Sequence, residues 1–322
     1  MKHLMILLLA AVAAATGCSD SSDNAPGVSL LQRYVLSSAD SVPEGIAYDG
    51  HDAAFYVTSL QGASIVRIAA DGSESIFRPA DNRAAIGGAK IDSEARRLWV
   101  CAQRVDGLDG RVWVYNLDST ELMHEFLLGA LSTGGTCNDL ALDANGRAYV
   151  TDPANPFLYR LDADTGEGDV LASDPLFNDL TGAGLGLNGV AVTPDRSALI
   201  VAKFFPAGLL RVSLPDGENI SQVQLSGDTL PPPDGLVFLD DDLYAVSGEA
   251  VSRVRFATDF TSAQVRVAPQ ISGLSTATVA QGRVYVVKSG VVNFVLGRPL
   301  DTPFEVFALD LNAFEQNPAP GS

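Results

Sequence analysis

The chain has 322 residues, of which 47% are hydrophobic and 19% are charged, and its formal net charge at pH 7 is −18. This length and composition are typical of a globular protein with a sizeable core. The strong negative charge argues against nucleic acid or an anionic lipid surface as a partner. We expect a monomer whose partner is a small molecule.

The N-terminus predicts export. An apolar run from Leu4 to Ala15 follows a basic start and is too short to span a bilayer, as in secretory signal peptides. The run closes with Ala-Thr-Gly-Cys at Cys18, which resembles a bacterial lipobox and implies cleavage before this cysteine and acylation of its thiol. We assign residues 1–17 to a lipoprotein signal peptide and 18–27 to a flexible tether. The protein would then be anchored to a bacterial membrane through the lipid alone, facing the periplasm. The alternative is an ordinary signal peptide with an incidental cysteine.

Residues 28–312 are predicted to form one domain, followed by a C-terminal tail at 313–322. The segment from Val28 to Ser37 precedes the first repeat and has no strand partner of its own. Because a ring of blades must not leave its edges open, we expect this segment to close the ring as the outer strand of the last blade. An independent edge strand or a linker is the alternative.

Six segments of the domain share one pattern: an opening residue, an alternating apolar stretch, a turn, and a second apolar stretch. The four clearest copies are PEGIAYDGHDAAFYVTS from Pro43, NDLALDANGRAYVTD from Asn138, NGVAVTPDRSALIVA from Asn188 and DGLVFLDDDLYAVSG from Asp234, and two weaker copies begin at Gly87 and Ser275. The openings recur about every 40 to 50 residues, a period typical of propeller blades.

Within each copy, period-two alternation and turn chemistry predict strands rather than helices. Ala144-Asn145-Gly146 and Gln281-Gly282 separate two apolar runs, as hairpin turns do. After the N-terminus no long stretch has helical periodicity. The sequence therefore predicts an all-β protein, a six-bladed β-propeller with four-stranded blades.

The four clearest copies open on side chains that carry oxygen: carboxylates from Glu44 and Asp234, and amides from Asn138 and Asn188. In a propeller the inner strands line the central channel, so their first residues converge on one mouth. Carboxylates gathered in a narrow channel take up protons or a cation. An all-oxygen set with neutral amides suits Ca²⁺, whereas zinc would want His or Cys.

Two alternatives to a catalytic metal site remain open. A single Asn or Asp at the start of a strand is commonly a turn former whose side chain bonds nearby backbone. A metal could also serve only to hold the blades together. The recurrence of four such residues at one phase of the repeat favours a ligand set.

Cys101 and Cys137 are the cysteines that remain after Cys18. Both fall where a second strand ends or the next inner strand begins, so in an exported protein they could form a disulfide. Two buried free thiols are the alternative.

The repeat openings resemble those of the senescence marker protein and gluconolactonase family of six-bladed propellers, to which diisopropyl fluorophosphatases and, more distantly, paraoxonases are similar. The resemblance covers residues 40–310 and is carried by PEGIAYD, NDLALDANGRAYVTD, NGVAVTPD and PDGLVF. It implies a central calcium bound through Glu44, Asn188 and Asp234, with Asn138 as a fourth ligand or a substrate contact. It also implies hydrolysis of a lactone or a phosphotriester at that ion.

The chain departs from the family pattern in two ways. Sugar lactonases carry an arginine two positions before the first asparagine, where this chain has Thr136, so a polyhydroxylated acid is disfavoured as the substrate. The catalytic histidines of paraoxonases are absent, because His51 is predicted in a turn on the far face and His124 in an outer strand. Any general base would therefore be a carboxylate or a metal-bound water.

Residues near the ends of the second strands are expected to ring the mouth: Thr58, Gln103, Asp152, Lys203 and Lys288. Lys203, which precedes two phenylalanines, could hold an anionic or ester group, or could extend into solvent as an ordinary surface lysine. We predict substrate contacts at Thr136, Gln103, Asp152 and Lys203, and catalytic roles for Asp234 and Asn138.

The resulting hypothesis is a calcium-dependent hydrolase of a lactone, an ester or a phosphotriester at the central channel. The alternative is a non-catalytic propeller that binds a ligand or a protein and uses calcium as a structural pin. The fold alone does not decide between them.

Overall fold

The computed structural model describes residues 28–38, 41–81, 84–104, 109–182, 185–268 and 271–315. The predicted signal peptide, Cys18, the tether and residues 316–322 lie outside these ranges. In the part of the chain that is described, no helix is long and apolar enough to cross a membrane.

The first strand, β1 (Arg33–Val35), belongs to the last blade, and the first three blades then follow in chain order. Blade 1 contains β2 (Pro43–Asp49), β3 (Ala54–Ser59), β4 (Ile65–Ile68) and β5 (Glu74–Arg78). Blade 2 contains β6 (Ala84–Asp92), β7 (Arg97–Arg104), β8 (Gly110–Asn116) and β9 (Leu122–Leu127). Blade 3 contains β10 (Leu140–Leu142), β11 (Ala148–Thr151), β12 (Phe157–Asp162) and β13 (Glu167–Ser173).

The remaining blades complete the ring. Blade 4 contains β14 (Leu187–Val192), β15 (Ala198–Lys203), β16 (Gly208–Ser213) and β17 (Ile220–Gln222). Blade 5 contains β18 (Gln224–Gly227), β19 (Leu236–Leu239), β20 (Asp242–Val246), β21 (Val251–Phe256) and β22 (Ser262–Val267). Blade 6 contains β23 (Leu274–Ala280), β24 (Arg283–Lys288), β25 (Glu305–Ala308) and β1. The prediction of an all-β, six-bladed propeller is confirmed.

Short helices lie only in connections within the described ranges. They are α1 (Leu128–Leu131), α2 (Val291–Val295) and the 3-10 turns Pro175–Phe177 and Leu311–Phe314. Phe314 is buried against Tyr244 of blade 5, with ring centroids 5.7 Å apart. Packed structure therefore continues past residue 312, the predicted end of the domain.

Blade 5 has one strand more than its neighbours. The strands β17 and β18 are separated by a single residue, and this extended segment pairs first with blade 4 and then, in parallel, with β22 at the outer edge of blade 5. Covering an edge strand in this way removes a row of unpaired backbone groups.

The N-terminal strand closes the ring as predicted. In blade 6, β1 pairs antiparallel with β25, placing Arg33 opposite Phe307 and Val35 opposite Glu305. Tyr34 points inward, where its ring lies 5.5 Å from that of Phe55 in blade 1 and its hydroxyl donates to the Ala70 carbonyl. The first and last blades are thus held by one strand that contacts both.

The core is divided among the blade junctions, because each sheet buries a face against the next one. Each of the six junctions has its own cluster of buried apolar side chains. Between blades 2 and 3, for example, Trp99 stacks on Phe126 with centroids 5.9 Å apart and 6° between the ring planes. The stacked sheets fix the radial arrangement, which in turn sets the positions of the inner strands.

The hairpin between the first two strands of blade 6 shows how local sequence fixes the turns. Gln281 and Gly282 have φ values of 48° and 69°. A two-residue hairpin of type I′ requires positive φ at both central residues, and glycine adopts it without strain. This turn lies at the opposite end of the inner strand from the opening residue.

The two remaining cysteines form a disulfide, with the Cα atoms of Cys101 and Cys137 5.4 Å apart. The bond joins the second strand of blade 2 to the residue that precedes the Asn138 opening of blade 3. The structure thus decides between the disulfide and the two free thiols.

Candidate metal centre

In four of the six blades, the inner strand begins with an interruption of its ladder. In blade 1, Pro43 pairs with Ser59 and Ile46 with Val57, so that Glu44 and its neighbour lie opposite Thr58 alone. The same register shift occurs at the openings in blades 2, 4 and 6. A bulge of this kind re-aims side chains and is common beside functional sites.

A closed ring of hydrogen bonds joins the six openings. In each bond, one blade donates to the backbone carbonyl of the opening residue in the next blade. The six bonds are Thr58 Oγ1 to Gly87 (2.6 Å), Gly88 N to Asn138 (3.0 Å), Thr151 Oγ1 to Asn188 (2.6 Å), Gly189 N to Asp234 (2.8 Å), Gly235 N to Ser275 (3.2 Å) and Ser275 Oγ to Glu44 (3.1 Å). The openings are therefore fixed relative to one another at a single end of the channel.

Glycine after the opening residue allows this close approach of the blades. A Cβ atom at Gly45 would lie 2.3 Å from the Gly87 carbonyl oxygen, and one at Gly189 would lie 2.2 Å from the Asp234 carbonyl oxygen. Both distances are shorter than any normal contact of a methyl group, so larger residues would force the blades apart.

The four residues predicted as ligands occupy equivalent places at this mouth. Glu44 and Asn188 are 8% and 9% exposed, while Asn138 and Asp234 are partly exposed. Glu44 Oε2, Asn138 Oδ1 and Asn188 Oδ1 are buried and have no hydrogen-bond partner. A buried acceptor without a partner costs about 1–3 kcal/mol, so three at one place are unusual and suit a bound cation.

Burial raises the pKa values of two carboxylates at the mouth, and repulsion from neighbouring carboxylates adds to the shifts. Burial is the main cause that raises the pKa of Asp234 to about 7. Repulsion from Asp139 adds to the shift, and a hydrogen bond from Asn188 opposes it. Burial also raises the pKa of Glu44 well above its usual range, with repulsion from Asp234 and Asp139 adding to the effect and the Lys90 charge opposing it. A cation among these groups would reverse the shifts by favouring the ionised forms.

Sequence reasoning missed two charged residues of this cluster, Asp139 and Lys90. Asp139 takes the place that glycine holds after most openings, and it is 5% exposed. Its Oδ1 atom lies 3.5 Å from Lys90 Nζ, and its Oδ2 atom is buried without a partner. The signals were present in the sequence, since Asp139 directly follows an opening asparagine and Lys90 is the sole lysine or arginine within the six inner strands.

The donor chemistry of the cluster favours a hard cation. No group of three or more His, Cys, Asp and Glu side chains in the described part of the chain could hold a metal by itself. A metal at this mouth would therefore depend on the amide oxygens of Asn138 and Asn188 as well as on the carboxylates. Oxygen ligands of mixed charge fit calcium, whereas zinc prefers nitrogen and sulfur.

Asp152 and Thr136, two of the predicted substrate contacts, bind each other. Asp152 accepts hydrogen bonds from the backbone N–H and the hydroxyl of Thr136, from the backbone N–H groups of Ala154 and Asn155, and from the Tyr159 hydroxyl. The carboxylate is fully buried. In this arrangement it organises the loop before the Asn138 opening.

Lys203 and Gln103, the other two predicted contacts, differ in register. Lys203 pairs with Leu187, the residue before the Asn188 opening, and it is buried rather than extended into solvent. Its ammonium group donates to the Leu176 carbonyl, and burial lowers its pKa. In blade 2 the residue before the opening pairs with Ala102. Gln103 therefore lies one residue beyond the position that Lys203 holds in blade 4.

Gln103 also lines a separate cavity of about 430 Å³, together with Arg111 and Trp113. The two histidines lie where the sequence predicted them. His51 is in the turn after β2, with Nδ1 2.8 Å from Asp52 Oδ1, and His124 is in the outer strand β9.

No protein-family profile matches the sequence, and no curated protein matches it. Solved structures do share its fold. The major allergen Mala s 1 of Malassezia sympodialis superposes with a TM-score of 0.71 at 16% identity, covering 90% of this chain and 98% of the allergen. A gluconolactonase from Xanthomonas campestris superposes with a TM-score of 0.61 at 19% identity, covering 84% of this chain and 86% of the gluconolactonase. Virginiamycin B lyase from Staphylococcus aureus superposes with a TM-score of 0.56 at 13% identity, covering 87% of this chain and 99% of the lyase. The chain thus shares a propeller fold with an allergen, a gluconolactonase and a lyase, and its chemistry has to be argued from its own site.

Proposed function

We propose that this protein is a calcium-dependent hydrolase that acts on a lactone, an ester or a phosphotriester at the channel mouth. The observation that carries the proposal is the set of three buried, unpartnered oxygens on Glu44, Asn138 and Asn188. Together with Asp234 they supply two carboxylates and two amide oxygens, and these four residues would hold the ion. The gluconolactonase fold of a structural relative adds support at the level of the fold.

Bound calcium would act as a Lewis acid that polarises a carbonyl or phosphoryl oxygen and stabilises the negative charge that develops there. Asp234 would act as the base that accepts the proton of the attacking water, or as the nucleophile. Its partial exposure leaves it accessible from the mouth. Asn138, also partly exposed, would orient the substrate where it does not serve as a ligand.

The residues around the mouth favour an uncharged or weakly polar substrate. Thr136 stands where sugar lactonases carry an arginine, and its hydroxyl is bound to Asp152. The Lys203 ammonium group donates to a backbone carbonyl. Neither residue in this state presents the cation that a sugar acid would need.

We also propose that the protein is exported and lipid-anchored at Cys18, as the sequence predicts. A disulfide is typical of proteins in oxidising compartments, so the bond between Cys101 and Cys137 supports export. The Gln281 side chain donates to the Val28 carbonyl, at the hairpin end of blade 6. A tether leaving from there would begin at the face opposite the mouth and leave the site open to small-molecule substrates.

The test is turnover of a panel of lactones, aryl esters and phosphotriesters by the purified protein, with calcium and with a chelator. Asp234→Asn keeps an oxygen ligand but removes the base, so we expect it to lose most of the turnover. Asp240→Asn is the matched control, because Asp240 is an exposed residue in the turn of the same hairpin at the opposite end.

Three outcomes distinguish the possibilities. Calcium-dependent turnover that Asp234→Asn abolishes and Asp240→Asn preserves would support the proposal. Full activity of Asp234→Asn would refute its assigned role. Calcium binding without turnover of any panel member would favour the non-catalytic propeller with a structural ion.

A further inference from the structure

The ion pair between Lys90 and Asp139 places a positive charge inside the candidate metal centre. Lys90 lies on β6, and its Nζ atom is 3.5 Å from Asp139 Oδ1. The two side chains are only 23% and 7% exposed, so water screens their charges poorly. The Lys90 charge also acts on Glu44, because it opposes the rise in the Glu44 pKa.

The backbone around Asp139 restricts where its carboxylate can go. Its Oδ1 atom also accepts the backbone N–H of Leu140 at 2.8 Å, and a Cβ at Gly88 would lie 2.2 Å from this oxygen. One oxygen is thus held by Lys90 and by the backbone, while Oδ2 is buried with no partner. The absence of a side chain at Gly88 leaves the space that Asp139 occupies.

The charges of the cluster can be added directly. Glu44, Asp139 and Asp234 contribute three negative charges when ionised, and Lys90 contributes one positive charge. The sum is −2, which matches one divalent cation. Without the lysine the same site would carry −3.

We propose that Lys90 is a built-in counter-charge that neutralises Asp139 and sets the affinity of the site for a divalent cation. This inference rests on the proposed function, because it concerns the same ion. The ammonium group repels a bound cation and engages the third carboxylate. Lys90 is therefore a positioning residue that keeps the ion exchangeable, and it need not touch the substrate.

The experiment compares calcium binding by Lys90→Met and by the wild-type protein, after the metal has been stripped with a chelator. Titration calorimetry with calcium chloride gives the dissociation constant, and the calcium-induced rise in melting temperature gives a second readout. We expect the dissociation constant of Lys90→Met to fall about tenfold or more, because a nearby like charge at an effective dielectric near 20 has at least that effect.

Arg147→Met is the control. Arg147 precedes the second strand of blade 3 at the hairpin end, away from the mouth, and its Nε atom lies 3.4 Å from Asp162 Oδ2, so it is also a cation in an ion pair. We expect calcium affinity within about twofold of wild type, since its carboxylate partner is not part of the cluster. In the double variant Lys90→Met with Asp139→Asn, the net charge returns to −2, and the affinity should return towards the wild-type value.

The outcomes separate this inference from the proposed function. Unchanged or weaker calcium binding by Lys90→Met, in protein with a wild-type circular dichroism spectrum, would overturn the counter-charge role while leaving the hydrolase proposal to its own turnover assay. Binding by Lys90→Met but not by wild type would support the role of Lys90 and count against calcium dependence of the natural enzyme. Binding by neither protein would overturn both.

Discussion

Removing one hydroxyl from the ring of hydrogen bonds should weaken the junction between blades 1 and 2. Thr58 is fully buried, and its Oγ1 atom accepts the Gly45 N–H at 2.8 Å and donates to the Gly87 carbonyl at 2.6 Å. Thr58→Val keeps the shape of the side chain but leaves both backbone groups without this partner. The change therefore isolates the polar contribution of one residue.

The expected loss follows from the cost of unsatisfied buried groups. Each such group costs about 1–3 kcal/mol, so the pair costs about 2–6 kcal/mol. We expect the lower part, about 2–4 kcal/mol, because the net contribution of a typical hydrogen bond is only about 0.5–1.5 kcal/mol. For roughly 280 residues the unfolding entropy is about 0.6 kcal/mol per kelvin, so the melting temperature should fall by about 3–7 °C.

Urea denaturation in the presence of a chelator measures the free energy of unfolding, and calorimetry measures the melting temperature. Thr278→Val is the control, because Thr278 is in the inner strand of blade 6 and its hydroxyl makes no hydrogen bond among the described residues. The control should change stability by no more than about 0.5 kcal/mol. Equal losses in the two variants would refute the reasoning.

Three further predictions concern the disulfide, the closing strand and the acidic cluster. Replacing Cys101 and Cys137 by serine should lower the free energy of unfolding by about 2–4 kcal/mol in urea titrations, and reductant should have no further effect on that variant. Tyr34→Ala removes a side chain that is 3% exposed and should cost about 3–5 kcal/mol, whereas Val35→Ala on the same strand, 57% exposed, should be nearly neutral in the same assay. Because the pKa of Asp234 rises from 3.8 to about 7, the folded chain keeps a proton that the unfolded chain loses. The stability that Asp234 contributes without calcium should therefore be fully present below about pH 4 and be lost as the pH rises through about 7. Melting curves should show a smaller pH dependence in Asp234→Asn, and added calcium should oppose the loss.

The sequence by itself determined the number of blades, the phase of the repeat and the equivalence of the four opening residues. These features are encoded locally, since each copy carries its own alternation and hairpin turn. Gln281 and Gly282 illustrate this, because a turn with positive φ at both residues needs only the two residues themselves. The closing role of the segment that contains Tyr34 followed from counting strands, as one strand had no partner.

Register within the second strands was less accessible to sequence reasoning. Glycine and alanine are so frequent near the start of β6 that the pairing of Ile86 with Ala102 cannot be told from a neighbouring register. The sequence therefore predicted that Gln103 is equivalent to Asp152 and Lys203. The strand pairing in the structure places Gln103 one residue further along its strand.

Only the tertiary structure decided which distant side chains meet. Lys90 and Asp139 are 49 residues apart, and Cys101 and Cys137 are 36 apart. Their pairing depends on how closely blade 2 approaches blade 3, which is set by the packing of the two sheets and by glycine at the junction. Alternation and turn chemistry describe one blade at a time, so they identify the opening residues but carry no information about the charge that the neighbouring blade places beside them.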